Sequence, residues 1–137
     1  MLGSLVSSRQ IPGVVVQAVS IIVVALFFLG MGTYGLFAPA ALIRPFGMVA
    51  DSAQARSEIR AVYGGFGIAV GGLLLTALAD LGGTRTGVVV TTAVCLLGMA
   101  VGRLVGRAVE RPAGFYPVWC YFWVEIIAAG ALLASLR

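Results

Sequence analysis

Four stretches of this chain run for the length of a membrane-crossing helix with no formal charge, apart from one glutamate in the last of them. No charge stands between Arg9 and Arg44, between Arg60 and Asp80, or between Arg85 and Arg103, and after Arg111 only Glu125 interrupts the run to Arg137. A spanning helix uses about 20 apolar residues to cross roughly 30 Å of hydrocarbon. Strands of a transmembrane barrel would alternate apolar and polar residues, and these runs do not. The composition agrees. Of 137 residues, 61% are apolar and only 10% charged, with a mean hydropathy of +1.08, whereas soluble domains carry about 25% charge. A soluble chain of this size buries only about two-thirds of its surface, which would leave apolar patches that water does not tolerate. The expected fold class is all-α, an integral membrane antiparallel four-helix bundle.

The few polar residues exclude several function classes. With no histidine in the chain, histidine-ligated zinc, haem and non-haem iron and histidine acid–base chemistry are ruled out, and no metal site or cofactor is expected. Cys95 and Cys120 sit in apolar runs without a C-x-x-C spacing and read as small hydrophobes. The net charge of +4 comes from arginines without a basic groove interleaved with aromatics, so nucleic acid is not an expected partner. Arginine stems reach up to headgroups instead.

We read a single transmembrane domain over residues 1–137, with spans at about 12–37, 52–79, 86–108 and 116–136 and an interfacial segment at 38–49 that lies on the bundle mouth or else is an ordinary loop. Pro12 suits a first helical turn, and Pro39 stops the first span after Gly30, Gly32 and Gly35. A secretory signal peptide is the rival reading, because Ala38-Pro39-Ala40 loosely mimics a cleavage site, but signal cores run only about 7–15 residues. Ser7 and Ser8 read as a mobile tail. Asp51-x-x-Gln54 resembles a capping box at the start of the second span. Asp80-Leu-Gly-Gly-Thr-Arg85 is a tight turn that makes the second and third spans antiparallel neighbours. The Arg111-Pro112-Ala113-Gly114 break precedes the fourth span, where Tyr116, Trp119, Tyr121 and Trp123 form an interface belt. The first and third loops hold Arg44, Arg56, Arg60, Arg103, Arg107 and Arg111, against Arg9, Arg85 and Arg137 on the other side. Positive-inside counting therefore puts both termini outside. Setting aside Arg60 and Arg103, which have reasons to lie in the bundle, narrows that margin to four against three and the N-terminal amine.

Helices in lipid gain little from burying apolar surface against one another and depend on small residues that let backbones approach. Gly98-x-x-x-Gly102-x-x-x-Gly106 supplies such a face on the third span. Gly64, Gly67 and Gly71 supply one on the second, and Ala61, Gly65, Ala69 and Gly72 a further one. Packing within one chain is the expectation, and homodimerisation through the third-span glycines is its competitor.

A charge near the middle of a span costs about 2.5–3.5 kcal/mol and calls for a partner. Glu125 and Arg103 fall at similar depths below the same side of the bundle and are placed to meet. Arg60 shares the register of the Gly64, Gly67 and Gly71 face, with Tyr63 one turn deeper. Glu58 points nearly the opposite way, toward Arg44 or Arg107. Arg60, Tyr63, Arg103 and Glu125 thus define either a polar pocket open on one side or a set of ion pairs that fixes helix register. Gln17, Ser20, Thr33, Thr76, Thr91 and Thr92 read as helix-to-helix or backbone hydrogen bonders.

Ser57-Glu58-Ile59-Arg60-Ala61-Val62-Tyr63-Gly64-Gly65, the later Gly102-Arg103 and the Gly35-Leu36-x-x-Pro39 ending of the first span look like a bacterial family of small four-span membrane proteins known only as a domain of unknown function. The resemblance covers nearly the whole chain. It implies the fold, a bacterial cytoplasmic membrane location and importance for Glu58, Arg60, Tyr63, Gly64, Gly65 and Arg103. A looser similarity to DoxX-like four-helix proteins bears on architecture alone. The leading functional expectation is a bundle that binds an apolar or anionic small molecule, a lipid or a quinone, at the arginine-lined mouth, since guanidinium groups suit carboxylate or phosphate heads. The alternative is an accessory or scaffold subunit that docks a membrane complex or a second copy of itself. Catalysis by Glu125 or Tyr63 lacks a nucleophile or metal.

Overall fold

Each long apolar run forms a helix, because a backbone in hydrocarbon must satisfy its own hydrogen bonds. A computed structural model of the protein describes the backbone of residues 2–111 and 114–137 and the side chains of residues 11–111 and 114–137. Expectations for the side chains of Ser7, Ser8 and Arg9, and for Pro112 and Ala113, lie outside the described residues. The elements are α1 (Leu2–Phe37), a short α2 (Pro39–Ile43) that runs into a 3-10 turn over Arg44–Phe46, α3 (Ala53–Leu78), α4 (Arg85–Glu110) and α5 (Val118–Ala134).

Several boundaries differ from expectation. α1 starts earlier than residue 12, so Pro12 falls inside the helix rather than in its first turn, and the backbone of Ser7 and Ser8 is helical rather than a tail. The cap of α3 is Ser52, whose hydroxyl accepts from the Ala55 amide at 3.0 Å. The box expected at Asp51 is thus displaced by one residue, because Ser52 is the residue with extended backbone that an N-cap needs. α3 is not uniform, since Arg60–Gly65 forms a π-helical turn between α-helical halves.

The four long helices form an antiparallel ring in which α1 packs on α3, α3 on α4, α4 on α5, and α5 closes back on α1. One core cluster joins Ile21, Val24 and Ala25 of α1 to Leu74 of α3, Val89, Ala93 and Leu96 of α4, and Ala129 and Leu132 of α5. A smaller cluster of Leu42, Ile43, Ala50 and Ile59 seats α2 against the start of α3. The outside is as apolar as the inside. Val15, Val19, Val23 and Leu26 of α1 and Val94, Val101 and Val105 of α4 are more than half exposed. Ile11–Phe37, α3 and α4 are each long and apolar enough to cross a membrane, and the molecule is an all-helical membrane protein. α5 is shorter, 17 residues, or about 26 Å.

α1 and α3 approach closely through their glycines. A Cβ on Gly32 would stand 2.7 Å from the Ile68 backbone nitrogen, and one on Gly67 would stand 3.0 Å from the Gly32 Cα. Gly64 and Gly71 press on Leu36 and Leu29 of α1 in the same seam. The expected intrachain packing of Gly98, Gly102 and Gly106 is corrected by the structure, which places nothing within 4 Å of where their Cβ atoms would be. The reason is rotational. α4 meets its neighbours through Val89, Thr92, Ala93, Leu96 and Ala100, and residues two away from that stripe point about 200° around the helix. Gly65 likewise touches only the Arg60 carbonyl of its own helix, and Gly72 meets nothing, so the further small face of α3 is not clasped.

Arg85 ties the far end of the ring together. Its guanidinium donates to the Ala77 and Leu78 carbonyls at the end of α3, at 2.9 and 3.0 Å, and to Gln17 Oε1 of α1 at 3.3 Å. Gln17 Nε2 in turn donates to the Ser135 carbonyl beyond α5 at 2.6 Å. The last carbonyls of a helix have no partner in their own helix, and here one arginine and one amide satisfy them.

Candidate functional site

At the end of the bundle opposite Arg85 the helices part, and a cavity of about 470 Å³ opens beneath α2. That falls within the roughly 300–1,000 Å³ of small-molecule pockets. α1 contributes Phe27, Phe28 and Met31 to its wall, and the segment after α1 covers it with Leu42, Ile43, Phe46 and Met48. Tyr63 and Phe66 come from α3, Leu96, Met99 and Arg103 from α4, and Tyr121 and Glu125 from α5. The chain folds over the mouth because Pro39 opens α2, Leu42 and Ile43 bury, and Gly47 turns the backbone at φ 71°.

The polar end of the cavity is an ion pair. Arg103 Nε donates to both Glu125 oxygens at 3.0 and 2.9 Å, and Nη2 donates to Oε1 at 2.8 Å. Glu125 is 3% exposed, and the Arg103 side chain is 20% exposed. Each lies seven residues inside the end of its helix on the same side of the bundle, about 10 Å deep. The Tyr121 ring sits 5.5 Å from the Arg103 guanidinium carbon and stacks on Phe46 of the covering segment with centroids 5.6 Å apart. Cover, tyrosine, arginine and glutamate therefore form one chain of contacts. Arg103 also borders a second, open groove on the outer face of α4, beside Gly102, Gly106 and Glu110.

Of the residues expected at the site, Arg103, Glu125 and Tyr63 line one cavity, with Tyr63 46% exposed at its wall. Arg60 and Glu58 do not line it. Arg60 Nε donates to the Leu36 carbonyl at 3.0 Å, so it closes the unpaired end of α1 rather than the pocket. It sits at the start of the π-helical turn, where the α-helical register used to place it no longer holds. Glu58 is exposed and makes no ion pair with Arg44 or Arg107 among the described residues.

Tyr121 was not expected at the site, whereas the segment at 38–49 was expected on the bundle mouth and does border the cavity there. Tyr121 looked like one more member of an aromatic belt, yet it stands four residues before Glu125, and that spacing puts two side chains on one helix face. Phe46 and Met48 carried no comparable signal, because their position depends on how the segment after α1 folds back.

A family model described as Domain of unknown function (DUF4345) matches residues 16–136 of this chain. No curated protein and no solved structure matches it.

Proposed function

We propose that this chain, which belongs to the DUF4345 family, binds one small and largely apolar molecule, a lipid or a quinone, in the pocket beneath α2. The observation that carries the reading is the combination of an apolar cavity of about 470 Å³ with an ion pair at one end between the half-buried Arg103 and the buried Glu125. Pockets with apolar walls and a few convergent polar groups are where small molecules bind. A purely structural ion pair needs no cavity beside it. In this reading α5 is a fourth span and the protein works in the bacterial cytoplasmic membrane, with ligands entering from lipid.

Native mass spectrometry of the detergent-extracted protein tests this, because bound mass and subunit count are read together. The expected result is one lipophilic molecule per chain, lost when Met31→Trp fills the cavity. A chain that carries no bound mass and takes up no lipophilic compound saturably would contradict it.

A second reading, an accessory or scaffold subunit, is favoured by the outward glycine face of α4. Gly98, Gly102 and Gly106 leave room for another helix to approach closely, from a partner in a membrane complex or from a second copy. The subunit count and any co-purified partner in the same spectra distinguish the two.

A further inference from the structure

We infer that the molecule taken by this pocket is electrically neutral and offers a carbonyl-type acceptor oxygen, as a ketone or ester does, to the free side of Arg103; this rests on the binding function proposed above. Among the residues lining the cavity Arg103 is the one cation and Glu125 the one anion, so the site carries no net charge. The carboxylate is already bonded to Arg103 through three contacts. A carboxylate, sulfonate or phosphate head would bring a second negative charge beside Glu125 with a single guanidinium to share, in surroundings too apolar to screen it. The sequence-level expectation of an anionic ligand assumed two arginines at the mouth. Arg60, the second of them, is on the Leu36 carbonyl.

The hydrogen-bonding capacity left over is that of donors. A guanidinium has five N–H groups in a fixed fork. Glu125 takes those on Nε and one edge of Nη2, and Nη1 bonds to no described residue. Tyr63 and Tyr121 line the same cavity, and each carries a hydroxyl able to donate. A neutral acceptor oxygen completes these donors and adds no charge. The aromatic and thioether walls suit an apolar body. Phe46, stacked on Tyr121, lies where it would cover the head.

The experiment is equilibrium binding to the full chain in phosphatidylcholine nanodiscs, using three compounds of equal chain length: a long-chain methyl ketone, the alkane and the permanently charged alkyl sulfonate. The ketone is expected to bind saturably, about tenfold tighter than the alkane for one hydrogen bond to a charged donor, with the sulfonate weakest. If the sulfonate binds tightest, or ketone and alkane bind alike, this inference is wrong while the binding function stands. If none of the three binds saturably, the binding function itself is contradicted. In Glu125→Gln the order is expected to move toward the sulfonate by about tenfold, since the guanidinium then lacks its counter-charge. A folded variant with an unchanged order would overturn the inference, and the wild-type series decides it should that variant not fold.

Discussion

Glu125 is the costliest residue in the chain to bury, and what offsets that cost is specific to Arg103. The carboxylate is 3% exposed and accepts all of its protein hydrogen bonds among the described residues from one guanidinium. Removing one partner of such a pair strands the other and costs about 3–5 kcal/mol, whereas replacing both by apolar residues of similar volume is often neutral. Arg103→Ala is therefore expected to destabilise the protein by about that amount, and the double change Arg103→Met with Glu125→Leu by much less. The measurement is the SDS-unfolding midpoint of each variant. A double-variant loss as large as the losses of the two single variants added together would mean that the two charges act independently. This pair was legible in the sequence because Glu125 interrupts one apolar run, Arg103 closes another, and both count to a similar depth. Arg60 was misread by the same method, since counting along an ideal α-helix cannot anticipate a π-helical turn that starts at the counted residue.

At the level of elements, glycine spacing reveals a close-packing face without revealing whether anything is packed on it. Gly64, Gly67 and Gly71 of α3 form the seam with Gly32 and Gly35 of α1, while the longer-looking motif of α4 faces outward. In the sequence the α1 glycines mark only the end of a span, although Gly32 and Gly35 are the residues that α3 meets. The contrast is directly testable. Gly32→Ala places its methyl against backbone and is expected to cost about 1–3 kcal/mol. Gly102→Ala meets open space and is expected to stay within about 0.5 kcal/mol of the parent in monomer stability. Thermal unfolding in one detergent compares them. A Gly102→Ala variant as damaged as Gly32→Ala would mean that the α4 face is covered in the working protein, as the scaffold reading requires. Helix number, order and approximate ends were readable because charge-free runs and prolines mark them. Which residues of the segment over the mouth bury was not, since that depends on tertiary contacts among Leu42, Ile43, Ala50 and Ile59.

Across the whole molecule the two ends of the bundle differ in construction. At the Arg85 end, hydrogen bonds from one guanidinium and from Gln17 tie helix termini together around a filled core of aliphatic side chains. At the Arg103 end, the same number of helices enclose a cavity under a short cover whose one aromatic stack rests on Tyr121. A bundle that served only to hold register would have no reason to keep one end open. That asymmetry supports the proposal of binding at the Arg103 end rather than at the Arg85 end.

Photo-crosslinking in nanodiscs tests the assignment most directly, using a diazirine-bearing long-chain methyl ketone followed by peptide mapping. The expected result is saturable labelling at Met31, Phe46, Met99 and Tyr121 that unlabelled ketone competes away. Labelling that never saturates and falls only on outward positions such as Val94, Val101 and Val105 would contradict it.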